Sequence, residues 1–146
     1  MTDLQFTKYF GDAVARISRL RYEVGGKVTS DPADGAVEIV FTASGALFLD
    51  TGADGDSLTV QDFEWTDPFA GPLSPENEEF VRTSGKWVRH DVSTEQPFAD
   101  LIGKKLFDVA PIVGSNGKLY GLLLDISGYK LVIYAPADEV HVSMLT

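Results

Sequence analysis

The sequence predicts an α+β fold in which an antiparallel β-meander occurs twice, each copy led by a helix, with an N-terminal amphipathic helix packed on the sheet. Three observations predict it. Apolar residues near the N-terminus recur at three- and four-residue spacing, apolar and polar residues alternate in the segments that follow, and the spacing of that first meander returns in the C-terminal third.

The N-terminal helix is read from Leu4, Phe6, Tyr9, Phe10, Ala13, Val14, Ile17 and Leu20, which fall close to one helical face over residues 4–22. Thr2 or Asp3 offers the capping oxygen, and Gly25-Gly26 stops the helix. Strands follow, because Val37, Ile39 and Phe41 alternate with polar or small residues, Ser44-Gly45 supplies a turn, and ALFL and SLTVQDF resume the pattern. The segment GKLYGLLLDISGYKLVIYAPADEVHV (117–142) aligns on GAVEIVFTASGALFLDTGADGDSLTV (35–60), with Ser127-Gly128 on Ser44-Gly45 and Asp138-x-Val140-x-Val142 on Asp56-x-Leu58-x-Val60. A shorter helix over TEQPFADL would lead the second copy. The expected organisation is one domain over 1–146, with repeats at 4–60 and 94–142 joined by an acidic, aromatic insert at 61–93. Within the insert, Pro68, Gly71, Pro72 and Pro75 break long elements, and Ser74-Pro75-Glu76 reads as the start of a short helix through ENEEFVR.

The chain carries a net charge of −10, and its location says more than its size. Residues 50–100 hold twelve Asp and Glu against Arg82, Lys86 and Arg89, so this stretch alone accounts for −9. Counterion release needs lysines and arginines facing phosphates, so neither nucleic acid nor an anionic membrane is expected as a partner. A basic protein is, since complementary fields accelerate association. Without cysteine there is no disulfide and no thiolate ligand or nucleophile, which fits a reducing compartment. No apolar run approaches the roughly 20 residues of a membrane span, and the N-terminus lacks a basic segment followed by an apolar one, so the expected location is cytoplasmic.

The string ALFLDTGADGDS (46–57) is the sharpest pointer to chemistry. It resembles the active-site loop of retroviral-type aspartic proteases, and LIGKKL (101–106) resembles that family's later apolar-apolar-Gly element. The resemblance implies a homodimer in which Asp50 is catalytic, supported by the turn of Thr51 and Gly52, with one proton shared between two close carboxylates. The chain departs from the pattern at Phe48 and Asp56, and an acidic, proline-broken insert stands where the family has a glycine-rich flap. Against the second meander the same string corresponds to the connection YAPADEV, which assigns it to a hairpin loop rich in Asp and Gly. It also half-matches a calcium loop at Asp50, Asp54 and Gly55, although Gly52 and Gln61 occupy ligand positions, which leaves Asp50, Asp54 and Asp56 as candidate calcium ligands. His90 and His141 lack metal-ligand spacing, and no phosphate loop or dinucleotide fingerprint is present, so no cofactor is expected.

The function these features favour is a non-catalytic acidic protein-binding domain. Its expected contact residues are Asp62, Glu64, Trp65, Asp67, Phe69, Glu76, Glu78, Glu79 and Trp87, because tryptophan dominates binding hot spots and acidic neighbours steer a cation-rich partner. In size, acidity and lack of cysteine the chain is similar to the immunity proteins of bacterial toxin systems, which implies an inhibitor of a basic toxin. The alternatives are the homodimeric protease and an oligomerising structural domain joined through unpaired strand edges. The sequence leaves the oligomeric state open.

Overall fold

Alternating apolar and polar side chains favour strands, and strands dominate this chain. A computed structural model describes residues 5–145. The first sheet holds β1 (Val14–Val24), β2 (Lys27–Val28), β3 (Val37–Phe41), β4 (Gly45–Thr51), β5 (Leu58–Gln61) and β6 (Lys86–Asp91). β1 is its pivot. Ser18 pairs with both Glu38 of β3 and Asp91 of β6, and Glu23 with both Val28 of β2 and Lys86 of β6, so β6 runs along one edge of β1 while β2 and β3 share the other. β4 and β5 extend the β3 side as a meander. The second sheet is a four-strand meander of β7 (Leu106–Val113), β8 (Leu119–Ile126), β9 (Tyr129–Tyr134) and β10 (His141–Leu145).

The two sheets meet at a corner, where Ala13 bridges Lys105 and the Leu106 N–H donates to the Asp12 carbonyl at 3.1 Å. Their inner faces form one core. Ile17, Ile39, Leu47 and Leu49 from the first sheet and Leu122, Leu124, Leu131 and Ile133 from the second belong to the same cluster and are fully buried. Each such side chain contributes about 1.5–3 kcal/mol relative to exposure, which makes this interior the main source of stability. Among the described residues no helix is long and apolar enough to cross a membrane.

The structure corrects the expected α+β fold of two helix-plus-meander halves. The predicted cap residues Thr2 and Asp3, with Leu4, lie outside the described residues. Beyond them, Phe6–Tyr9 makes one 3₁₀ turn, a turn follows at Phe10 and Gly11, and from Val14 onward the expected helix is β1. Two features of β1 imitate helical spacing. Its register against β3 shifts between Val14 and Arg16, so Val14 and Ile17, three apart, join the same core cluster across an irregularity of the bulge type. Ile17 and Leu20 are also three apart, but Ile17 belongs to the inner core while Leu20 packs with Ala36 and Phe48 in a separate cluster. A strand covered on both faces loses the period-two signal, and residues 17–20 are buried without interruption. The expected second helix is likewise a single 3₁₀ turn at Phe98–Leu101. No α-helix therefore leads either meander among the described residues, and β2 and β6 of the first sheet have no counterparts in the second.

The α-helix that does form, α1 (Pro75–Ser84), starts where Ser74 and Pro75 direct it. The Ser74 hydroxyl oxygen accepts from the Asn77 N–H at 3.2 Å, and proline at the first helical position gives up no needed donor. No residue of α1 is buried, so its stability is largely local. Ser74→Ala is expected to cost α1 about 1 kcal/mol, seen as faster amide exchange over residues 76–84 with little change in global unfolding.

Candidate functional site

Directly opposed residues of an antiparallel pair project from the same face. The register therefore places Ser18, Leu20 and Tyr22 of β1 with Asp91, Arg89 and Trp87 of β6, and with Glu38 of β3 and Phe48 of β4, on the outer face of the first sheet. The chain leaving β5 crosses this face. Phe63 stacks on Phe48 with ring centres 5.6 Å apart, and Trp65 packs against Leu20, Ala36 and Phe48.

Glu38 anchors the crossing. It is 2% exposed and accepts from Arg89 Nε and Nη2, each at 2.9 Å, and from the Trp65 N–H at 2.7 Å. Arg89 also donates to the Trp65 carbonyl and lies 5.6 Å from the centre of its ring. One buried carboxylate thus fixes both the backbone and the ring of Trp65 through charge-assisted hydrogen bonds. On the other side of the face, Gly85 ends α1 at φ +80°, and a Cβ there would lie 2.3 Å from the Glu23 carbonyl, so α1 and β6 approach β1 closely. Trp87 then meets Tyr22 edge-on at 5.2 Å, and Phe80 of α1 stacks on Phe69 at 5.8 Å.

Two clefts result, and they share Trp65 and Trp87. One, of about 320 Å³, is walled by Tyr22, Pro68, Phe69 and Phe80. The other, of about 360 Å³, is lined by Leu20, Gly35, Ala36 and Val140 together with Asp50, Thr51, Asp138 and Glu139. Asp50 is the penultimate residue of β4, and its Oδ1 accepts from the Thr51 N–H at 2.8 Å. Burial raises its pKa above its ordinary value; the Thr51 N–H opposes that shift and the charge of Asp138 adds to it. A carboxyl whose folded pKa lies above its unfolded one favours folding when protonated, and that stability is lost as pH rises through the interval between the two values. Ionised Asp50 is therefore a liability at neutral pH. Asp50→Asn should raise stability at neutral pH, and the gain should disappear in acid, as denaturant melts at both pH values would show.

The loop after Asp50 is occupied with its own closure. Asp54 Oδ1 accepts from the Asp56 N–H at 2.9 Å and from Ser57 Oγ at 3.0 Å, and the Asp54 carboxylate pairs with Lys118, which holds its pKa well below the usual range. The sequence-predicted calcium ligands Asp50, Asp54 and Asp56 do not gather into one donor set among the described residues. The group that does is Asp34, Glu139 and His141. His141 Nε2 lies 3.3 Å from both Asp34 Oδ1 and Glu139 Oε2. Behind it, buried Arg19 donates from Nη2 to the carbonyls of Gly35 at 2.9 Å and Val140 at 2.6 Å, and burial lowers its pKa to about 10. Arg19 thereby fastens the two segments that border the acidic cleft.

The expected contact residues divide accordingly. Trp65, Phe69 and Trp87 come together, joined by Phe80. Asp67 pairs with Lys86 at 2.6 Å, Asp62 with Lys8 at 3.5 Å, Glu64 with Arg16 at 3.1 Å and Glu79 with Arg82 at 2.5 Å. Glu76 and Glu78 stay exposed on α1 with no ion pair among the described residues. Sequence reasoning missed Tyr22, Glu38, Arg89, Asp138 and Glu139. For Glu38 a signal exists, since it is a lone carboxylate inside the apolar run AVEIVF. Comparison of the chain with protein-family profiles, with curated proteins and with solved structures finds no match.

Proposed function

We propose that this chain is a non-catalytic acidic protein-binding domain that receives a basic protein on the face built around Trp65 and Trp87. The observation that carries the reading is the grouping of exposed aromatic rings about two clefts: Phe80 and Trp87, which line them, are 51% and 44% exposed, and Phe63, in the segment that brings Trp65 onto the sheet, is 45% exposed. Large apolar groups left open beside clefts mark interaction surfaces, and Trp is the residue type most enriched among energetic hot spots. The surrounding charge selects the partner. Residues 50–100, which supply most of this face, carry −9 of the net −10, so association with a cationic protein is electrostatically steered and weakened by salt. In its narrower form the proposal is an immunity-type inhibitor that covers a basic bacterial toxin.

Immobilised protein exposed to extract of its native cell should retain a basic protein at low salt and release it at high salt. Retention of only acidic or salt-indifferent proteins would refute the reading. One observation favours the aspartic-protease alternative, namely that Asp50 is half-buried with a raised pKa in a cleft it shares with Asp138. Cleavage of a peptide library in acid by the wild type and not by Asp50→Asn would establish that alternative.

A further inference from the structure

We infer that the cleft between Trp65 and Trp87 is a receptor for a single guanidinium group, an arginine side chain of the basic partner. This rests on the proposed function and adds to it the chemistry of the central contact. The cleft is lined by Asp50, Asp138, Glu139 and two indole rings, and no lysine or arginine lines it. The cations nearby are committed elsewhere: Arg89 to Glu38, Lys118 to Asp54, and Arg19 to main-chain carbonyls. Among the described residues, Glu139 is the one lining carboxylate with an ionic partner, His141, at 3.3 Å. Asp50 has none among the described residues, and the hydrogen bond it accepts comes from its neighbour Thr51. A half-buried carboxylate without a cation is unfavourable alone and becomes favourable once a cation enters beside it.

The walls decide which cation. A metal ion asks for converging oxygen or nitrogen donors, and two indoles supply none. A guanidinium is weakly hydrated, stacks on an indole face and presents a planar fork to a carboxylate, so a site that pairs an open tryptophan with an acid suits arginine better than lysine. Arg89 already lies against Trp65, which leaves the ring of Trp87 as the stacking surface. The volume agrees, since about 360 Å³ is near the lower bound of pockets for small ligands, roughly 300–1,000 Å³, and suits a side chain more than a cofactor.

Both tryptophans of the chain line this cleft, so intrinsic fluorescence reports on it. The experiment titrates n-butylguanidinium, with neutral N-butylurea as its isostere, into wild type, Asp50→Asn, Trp87→Leu and, on β7 away from the cleft, the exposed Asp108→Asn. The expected result is saturable quenching by the guanidinium alone, unchanged in Asp108→Asn and about tenfold weaker in Asp50→Asn and Trp87→Leu. Circular dichroism of each variant checks that it is folded. Equal response to the urea, or equal binding by wild type and Asp50→Asn, overturns the inference. A salt-sensitive basic partner that still binds Asp50→Asn as tightly as wild type would overturn the inference and leave the proposed function standing. Loss of that partner's binding in Asp50→Asn, together with guanidinium quenching, supports both.

Discussion

Glu38→Ala is expected to destabilise the protein by about 3 kcal/mol and to release the Trp65 segment from the sheet. Removing one member of a buried ion pair strands the other, and such losses run to about 3–5 kcal/mol. The side chain of Arg89 is 34% exposed, so water compensates part of its loss and the lower end of that range applies. The Trp65 N–H loses its acceptor at the same time. Two readouts follow. The denaturation midpoint should fall, and Trp65 emission should shift towards that of a solvated indole before global unfolding begins. Glu38→Gln keeps one acceptor oxygen, enough for the Trp65 N–H, but removes the charge and turns an amide N–H towards an Arg89 donor, so it should restore only a minor part of the lost stability. If Glu38→Ala melts like the wild type, the buried carboxylate is not what holds the insert to the sheet.

Gly35→Ala should be equally damaging for a different reason. Gly35 sits at φ +101°, and an added Cβ would lie 2.0 Å from the Leu20 carbonyl oxygen, a backbone atom with no room to withdraw. Leu20 is held there by its N–H donating to the Ala36 carbonyl at 3.0 Å, while Arg19 grips the Gly35 carbonyl. The positive φ and the overlap should together cost about 3 kcal/mol. Gly45 separates the two terms, because it has the same φ of +101° and open space around the Cβ position. Gly45→Ala should therefore cost about 1 kcal/mol, and equal losses at the two glycines would remove the steric part of the argument. Gly35 lines the acidic cleft, so its replacement should also weaken binding there.

Legibility followed how each segment is covered. β3, β4 and β5 could be read because short alternating runs are punctuated by Ser44-Gly45 and the Asp- and Gly-rich loop, and α1 because Ser74 and Pro75 announce it. β1 could not. Its irregularity near Ala15 and its burial on both faces replaced a period of two with a spacing that resembles a helix turn. The aromatic members of the site were visible as an unusual density of Trp and Phe in an acidic insert. Their organisation was not, because it depends on Glu38 and Arg89, 51 residues apart in sequence and brought together only by the pairing of β3 and β6 with β1. Asp138 is a similar case. It reaches the cleft of Asp50 because its N–H donates to the Gly55 carbonyl at 2.9 Å, a long-range contact between two loops with no local signature. The resemblance at ALFLDTGADGDS singled out Asp50, whereas the residues that share its cleft, Trp65, Trp87 and Asp138, are brought there by strand pairing and by the contact between two loops.

The most direct measurement is calorimetric titration of the basic protein retained at low salt against wild type and Trp87→Ala over a range of ionic strength. Trp87 is 44% exposed at the centre of the face, so its truncation should leave the fold intact. The account predicts that affinity falls steadily with salt and drops about thirtyfold in the variant, the loss expected for a hot-spot side chain worth about 2 kcal/mol. Equal affinities for the two proteins at every salt concentration would contradict it.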